Sequence, residues 1–254
     1  MSNEGKYIYG IIRHTGPVAF GSIGIGGRGD QVYGINFKDI SAVVSNSPII
    51  QYDARRVHMI AHQKALEEVM KKFTVLPVRF STISEQDDDS GILKILEKEY
   101  KKFNDLLDKM DGKKELGLKI LAHEAPVYES IIEKYDEIRN LRDKLINLPP
   151  DKTHYQRMKI GEMVVVALKT ETENYKQMIL NILKPLSVDI KINDNYGEMM
   201  ILNVAFLIKN IEEAAFDEAL NKLDAQYGHL MTFKYVGTLP PYNFVNLTIN
   251  TKGL

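Results

Sequence analysis

The chain has 254 residues, of which 44% are hydrophobic and 26% charged, which is ordinary globular usage and suggests one large domain or two small ones. Lys and Arg number 33 against 34 Asp and Glu, so the charge balance gives no general attraction to nucleic acid or to an anionic membrane. The absence of cysteine excludes disulfides, iron–sulfur clusters, cysteine zinc sites and cysteine nucleophiles.

Neither the N-terminus nor the apolar runs indicate export or membrane insertion. The opening residues lack the basic-then-apolar layout of a secretory signal, and the longest apolar runs, such as Met199 to Ile208, are too short to span a bilayer. We therefore expect a cytoplasmic protein without a membrane span.

The first half of the chain predicts a mixed α/β region in the order β-β-β-α-β-α. Apolar residues that alternate indicate strands, and apolar residues three or four apart indicate helices. Asp53 is the predicted N-cap of the first helix, and the acidic run at 85–89 favours the start of the second. The predicted elements are strands at 7–13, 31–37, 40–45 and 75–83, helices from 53 to about 73 and from about 91 to 110, and a Gly-rich loop at 16–30.

A long helical hairpin is predicted after a strand at Leu116–Ile120. Pro149-Pro150 ends its first helix, and Thr153 with Gln156 has the spacing of a capping box for the second. Because the connection is short and both helices carry apolar seams, we expect them to pack antiparallel. The seam would also suit a docked partner, but packing within the chain explains it better. Its residues in the first helix are Tyr128, Ile131, Tyr135, Ile138, Leu141, Leu145 and Leu148.

The last third predicts the order β-β-α-β. Residues 188–193 alternate as a half-buried strand, and Met199 to Ile208 is nearly all apolar, which indicates a central strand. Together with the strand at Leu116 and the hairpin, this order matches a ferredoxin-like split βαβ plan. That plan places the strands at Leu116 and Met199 in the middle and the strand at Val188 on an edge. Whether the Leu116 strand belongs to the first sheet, the second or both is left open.

The predicted fold is therefore α+β, with two α/β domains. The first comprises residues 1–114. The second, residues 115–254, is a modified ferredoxin-like domain elaborated with the helical hairpin at 124–184 and an extended tail at 239–254.

Two motifs suggest ligands but fail in context. Gly24 to Gly29 matches G-x-G-x-x-G, yet it leads into a predicted strand instead of the helix that a dinucleotide site requires, so we expect a mobile surface loop. His58 and His62 lie four apart on a helix, but no third metal ligand is evident, so we expect surface or packing histidines. The carboxylate pairs single out no acid–base pair. We therefore expect no catalytic residues, no cofactor and no metal.

Two segments remain unusual. Residues 75–82 place Arg79 in the middle of an apolar strand, where an arginine is usually paired, so we expect a structural role in a buried or half-buried pair. Residues 237–245 form an aromatic tail that the prolines keep out of a helix, and we expect it to be extended. The structural or interaction candidates in the two segments are Pro77, Arg79, Phe80, Pro240, Pro241, Tyr242 and Phe244.

These segments resemble the gas vesicle protein F/L family. Val-Leu-Pro-Val-Arg-Phe-Ser-Thr at 75–82 looks like its hallmark strand, and Gly-x-Leu-Pro-Pro-Tyr-Asn-Phe-Val at 237–245 matches its C-terminus. One departure is Ser81, where many relatives have Gly. The matches cover essentially the whole chain in the same order, and the others are Tyr7-Ile8-Tyr9-Gly10-Ile11-Ile12, Ala42-Val43-Val44-Ser45 and Lys159-Ile160-Gly161-Glu162.

The resemblance implies an accessory or minor structural protein that is needed for gas vesicle assembly and is not an enzyme. The implied partners are the main gas vesicle shell protein and other vesicle proteins, and the implied location is the gas vesicle. A monomer is expected in isolation. The alternatives are a small-molecule-binding or enzymatic protein built on ferredoxin-like domains, and a purely structural shell component.

Overall fold

A computed structural model describes residues 4–251, which form an α+β structure of two compact units. The α+β class is the predicted one. The first unit runs to Glu115 and takes in the chain again from Thr238, and the second unit is Leu116–Gly237. Residues 1–3 and 252–254, which the predicted domains include, lie outside the described residues.

The first unit is built on an antiparallel sheet with β1 at its centre. The sheet order is β2-β3-β4-β1-β5, and β6 also pairs with β1. Because β1 is covered on both faces, its residues from Gly5 to Ile12 are buried. The elements are β1 (Glu4–Arg13), β2 (Ala19–Gly21), β3 (Val32–Phe37), β4 (Ile40–Pro48), α1 (Arg56–Met70), β5 (Val75–Pro77), β6 (Ile83–Ser84), α2 (Ser90–Lys98) and α3 (Tyr100–Met110).

Four details of the first unit differ from the prediction, and the first is that the short strand β2 lies inside the Gly-rich loop expected at 16–30. The strand expected at 75–83 is split into β5 and β6 by a turn, in which Ser81 has φ +63. The helix expected at 91–110 is interrupted at Glu99. Asp53 does not cap α1: its carboxylate accepts hydrogen bonds from Arg55 Nε at 2.6 Å and from His58 Nδ1 at 2.8 Å.

The second unit contains a four-stranded sheet in the order β10-β7-β9-β8. The predicted central strands, at Leu116 and Met199, are β7 and β9, and the predicted edge strand at Val188 is β8, so these placements are confirmed. The open question about the Leu116 strand is answered, because β7 lies in the second sheet. The elements are β7 (Lys113–Ala122), α4 (Glu124–Lys134), α5 (Asp136–Leu145), α6 (His154–Leu183), β8 (Asp189–Ile192), β9 (Met200–Lys209), α7 (Glu213–Tyr227) and β10 (Met231–Leu239).

The core of this unit lies between the sheet and the helices α6 and α7. The residues of β9 from Met200 to Ile208 are all buried, as the apolar run predicts. Phe206 of β9 packs edge-on against Phe216 of α7, with ring centroids 5.0 Å apart. Aromatic rings in this arrangement bury a large apolar area and fix the helix over the sheet.

The predicted antiparallel hairpin is confirmed. Lys134 at the end of α4 meets Glu171 of α6, with Nζ 2.7 Å from a carboxylate oxygen, while Arg157 near the start of α6 donates to the Leu145 carbonyl at 3.2 Å. The first arm is broken into α4 and α5 at Tyr135, whose hydroxyl donates to Glu171 at 2.9 Å. Thr153 does not form a capping box, because its hydroxyl donates to the Pro149 carbonyl instead.

The tail from Thr238 belongs to the first compact unit, whereas the prediction placed it in the second domain. The physical reason is that Asn243 bonds to Glu115, the last residue of the first unit's N-terminal part, and that Val245 and Leu247 are buried. Among the helices of residues 4–251, none has the length and apolar character needed to cross a bilayer.

We predict that Glu171→Gln destabilises the hairpin. Glu171 is 7% exposed and accepts hydrogen bonds from Lys134 and Tyr135, so removing its charge should lower the free energy of unfolding by about 1–2 kcal/mol. Denaturant titration followed by circular dichroism measures this. Glu218→Gln is the matched control, since Glu218 forms an exposed pair with Lys222 on α7. Equal stability of the two variants would contradict the prediction.

Candidate interaction surface

Two buried tyrosines of β1 organise the first unit around their hydroxyl groups. The Tyr9 hydroxyl accepts a hydrogen bond from the Ile25 backbone N–H at 2.7 Å and shares one with Ser45 Oγ at 3.0 Å. The Tyr7 hydroxyl accepts one from the Ser81 N–H at 3.0 Å and lies 2.9 Å from His62 Nδ1. Each hydroxyl therefore ties an irregular segment of the chain to the sheet.

His62 is a packing histidine, which is one of the two roles expected for it. Its surroundings keep the imidazole neutral. The Tyr7 hydroxyl accepts from the Ser81 N–H and shares a second hydrogen bond with His62 Nδ1, in which the imidazole tautomer determines the donor. His62 is 2% exposed, and Nε2 has no hydrogen-bond partner among residues 4–251. Burial lowers the pKa of His62 to about 4.

His62 and its helical neighbour His58 do not converge on one site. His58 Nδ1 bonds to the Asp53 carboxylate, while His62 Nδ1 faces Tyr7. Within the described part of the chain, no group of three or more His, Asp or Glu side chains is arranged to hold a metal ion.

The Gly24–Gly29 segment forms a 3-10 turn (Ile25–Gly27) and then leads into β3. Gly26, Gly27 and Gly29 have φ of +86, +71 and +78, a backbone region that glycine adopts at little cost. The segment is tied down at both its ends: Ile25 bonds to Tyr9, and Arg28 pairs with Glu4 at 2.9 Å. Between these ties the segment is a surface loop, as expected, with Gly26 to Gly29 exposed.

The segment at 75–82 joins the sheet to α1. Pro77 is buried in β5 opposite Gly10, and the Val78 N–H donates to the Tyr9 carbonyl at 2.9 Å. Phe80 packs edge-on against His62 of α1, with ring centroids 5.6 Å apart. Ser81 Oγ accepts from the Tyr52 N–H at 2.9 Å, which fixes the chain just before α1.

Ser81 has a left-handed backbone conformation at φ +63. A residue with a side chain is strained there and glycine is not. The hydrogen bond from Tyr52 to Ser81 Oγ offsets this strain for serine.

Arg79 is exposed, so the expected buried pair is wrong. Its guanidinium makes no ion pair or hydrogen bond within residues 4–251. The reason is that the strand ends at Pro77: Val78 and Phe80 still pack inward, but the turn points Arg79 towards solvent. Removal of the Arg79 side chain therefore breaks no buried pair.

Arg79 comes directly before Phe80, which packs against His62 of α1, and the start of that helix carries an exposed apolar face. The buried residues of α1 are all in its later part, from His62 onward, whereas Val57 is 65% and Ile60 52% exposed. Arg56 is exposed, and its side chain has no partner in the described residues. We name this region the α1 surface, which consists of Ile50, Arg56, Val57, Met59, Ile60 and Arg79.

The tail forms a turn, and the extended strand predicted for Tyr242 and Phe244 is wrong. The Tyr242 N–H donates to the Pro240 carbonyl at 2.7 Å, and the Val245 N–H donates to the Pro241 carbonyl at 2.8 Å. Both prolines are buried, Phe244 is half-buried, and Tyr242 is 44% exposed.

Asn243 holds this turn to Glu115. Its backbone N–H donates to one Glu115 carboxylate oxygen at 2.9 Å, and its side-chain amide donates to the other at 2.6 Å. Glu115 is 1% exposed, and burial raises the pKa of its carboxyl group against the opposing effect of these two bonds. Neither Glu115 nor Asn243 was among the candidate residues, although Asn243 lies inside the unusual Pro-Pro-Tyr-Asn motif.

We predict that acid destabilises the first unit through His62. The folded pKa is about 4 and the ordinary value is 6.5, so between these values the unfolded chain binds the proton more tightly. Stability is therefore lost as the pH falls through this window, by about 2 kcal/mol between pH 7 and pH 5. The measurement is denaturant unfolding followed by near-ultraviolet circular dichroism of the tyrosines. His62→Gln does not titrate, so a variant with the same pH dependence as the parent would contradict the assignment.

We predict that Asn243→Ala weakens the attachment of the tail. One hydrogen bond to a buried carboxylate is lost, so the free energy of unfolding should fall by about 2 kcal/mol. The control is Asn246→Ala, an exposed asparagine in the same tail. Truncation after Thr238 removes both donors and should destabilise the unit further. A truncated chain with an unchanged melting temperature would refute this structural role.

The chain matches known proteins over nearly its whole length. A family model described as gas vesicle synthesis protein GvpL/GvpF matches residues 5–246. Gas vesicle protein F of Dolichospermum flosaquae is 25% identical over 244 residues, covering 95% of this chain and 97% of that protein. Gas vesicle protein F1 of Halobacterium salinarum is 26% identical over 253 residues, covering 98% and 96%.

Solved structures share the fold. The crystal structure of GvpF from Anabaena sp. PCC7120 matches with a TM-score of 0.80 at 24% identity, covering 96% of this chain and 99% of that one. GvpF from Microcystis aeruginosa matches with a TM-score of 0.74, at the same identity and coverage. With the family model spanning both compact units, this chain belongs to the gas vesicle GvpL/GvpF family.

Proposed function

We propose that this protein is a non-enzymatic accessory or minor structural protein required for gas vesicle assembly, and that it binds the main shell protein and other vesicle proteins at the vesicle. The observation that carries the proposal is membership of the gas vesicle family along the whole chain. The proposed architecture of the second unit is a modified ferredoxin-like fold. Its sheet order β10-β7-β9-β8 supports this, with the helical hairpin in the place of the first crossover helix.

The partner's chemistry supports a binding role. The gas-facing surface of a gas vesicle shell has to be apolar, so the unassembled shell protein is prone to aggregate through it. A protein that covers this surface during growth of the shell would keep the subunits available for assembly.

We propose that the α1 surface makes this contact. Ile50, Val57, Met59 and Ile60 are each more than 40% exposed, which is costly for a surface that stays in water. Arg56 and Arg79 add two positive charges without partners in the described residues. The surface therefore suits a segment that carries both apolar side chains and carboxylates, and arginine at the rim of such a contact gives it orientation.

Cells that lack the protein should fail to form normal gas vesicles while still producing shell protein, which tests the overall role. Normal vesicles in such cells would refute the proposal.

We predict that Arg79→Ala separates binding from stability. The melting temperature should stay unchanged because Arg79 is exposed, while co-purification of the shell protein should fall by about tenfold, the effect of losing roughly 1.4 kcal/mol at an interface. Val57→Ser should act in the same way. The control is Arg142→Ala, an arginine of the second unit that pairs with Asp143. If Arg79→Ala retains full co-purification and vesicle yield, the α1 surface is not the contact.

A further inference from the structure

The outer face of α6 exposes a second row of apolar side chains, in the second unit. Tyr155 is 76% exposed, Met158 53%, Val165 52% and Val166 65%. Their spacing puts them on one side of the helix, opposite the residues that pack against the rest of the hairpin, such as Ala167 and Glu171. No residue in the described ranges covers this face.

Charged residues on the same face follow a definite order. Lys159 and Glu162 precede the two valines, and Lys169 and Glu173 follow them. The side chains of Lys159, Glu162 and Lys169 make no ion pair or hydrogen bond within residues 4–251. Glu173 bonds to Lys176 at 3.1 Å and to Gln177 at 2.6 Å, and its side chain remains 55% exposed. The signs therefore read plus, minus, two valines, plus, minus.

This order of charges is complementary to the same order read in the opposite direction along the helix. If two copies of α6 lie antiparallel with a twofold axis between Val165 and Val166, Glu162 of each copy faces Lys169 of the other. Lys159 then lies within one residue of the position facing Glu173, and the valines meet at the axis. Twofold contacts require this reciprocity, in which residue i meets j and j meets i. A parallel arrangement would put like charges opposite each other.

We propose that the protein forms a homodimer through the outer face of α6, with the two helices antiparallel about an axis at Val165 and Val166. The occupant of this face is a second copy of the chain because a single sequence supplies both halves of the charge pattern. The proposal does not rest on the proposed function.

Gly161 fits this arrangement. A glycine inside a helix costs about 1 kcal/mol relative to alanine. A side chain added at Gly161 would meet no atom within 4 Å, so packing within the described chain does not demand a glycine there. Gly161 lies one turn before Val165. Because it has no side chain, a second helix can approach closely at this position.

A groove beside this face has room for side chains of the second copy. It has a volume of about 410 Å³, and its lining includes Val165, Lys169 and Thr172 of α6 together with Glu198 and Met200. In the antiparallel arrangement, Met158 of the second copy lies near Glu173, at the edge of this groove. Met200 offers it an apolar contact, and Glu198 adds a carboxylate for the neighbouring Lys159.

The contact is short, which determines how the dimer behaves. From Tyr155 to Glu173 the helix spans about 27 Å, so the interface is at the small end of specific contacts and the dimer is weak. The protein is therefore monomeric when dilute and dimeric when concentrated.

Sedimentation velocity of the full chain over a range of concentrations tests the proposal. Wild type should dimerise with rising concentration. Glu162→Lys and Lys169→Glu should each weaken the dimer by about tenfold, because each change turns two symmetry-related attractions into repulsions. The double variant Glu162→Lys/Lys169→Glu restores both pairs and should return the dissociation constant to within about twofold of wild type. Glu218→Lys on α7 is the control and should have no effect.

Cross-linking locates the axis, since the chain has no cysteine of its own. Val166→Cys should give a covalent dimer with a short bismaleimide, whereas Ile211→Cys, which is 83% exposed on another part of the second unit, should not. The proposal is overturned if wild type stays monomeric at the highest soluble concentration, or if the folded double variant does not recover dimerisation. Equal cross-linking of both cysteine variants would also overturn it.

Discussion

The need to satisfy two buried tyrosine hydroxyls constrains the whole first unit. A buried hydroxyl without a partner costs free energy comparable to a lost hydrogen bond. Apart from Ser45 on the adjacent strand β4, the partners of Tyr7 and Tyr9 are Ser81, His62 and Ile25, none of which lies on a strand. The hydroxyls thus select one conformation for the turn before β3 and one for the loop between β5 and β6. The position of the α1 surface follows from that selection.

The sequence predicted the helices and strands well, but it predicted the solvent exposure of individual side chains less well. Periodicity and apolar runs identified the central strands of the second sheet, because a strand buried on both faces has a composition of its own. These patterns could not show that Val57 and Ile60 face solvent, because the spacing of apolar residues defines a face of a helix but does not show whether another element covers that face. Arg79 was misjudged because the strand ends at Pro77, and the residues after it carry no sign of the turn that points Arg79 towards solvent. Of the candidate residues, Pro77, Pro240 and Pro241 are buried, Phe80 and Phe244 are partly buried, and Arg79 and Tyr242 are exposed.

The two exposed surfaces differ in the partners they suit. The α1 surface combines apolar residues with unpaired charges of one sign, so it favours a partner of the opposite sign. The α6 face carries positive and negative charges in an order that matches the opposite charges of a second, antiparallel copy. It therefore favours another copy of the same helix. Patterns of charge confer specificity on apolar contacts that would otherwise be promiscuous. The same chain can therefore use its two units for different recognition tasks.

The bond between Glu115 and Asn243 has a consequence for synthesis on the ribosome. The two residues are 128 positions apart, and the entire second unit is made between them. Until residue 243 has emerged, the Glu115 carboxylate lacks both of its donors, whereas the second unit is already available to fold. The N-terminal unit is thus begun first and completed last. Surfaces that depend on its finished form become available only after residue 243 has emerged from the ribosome.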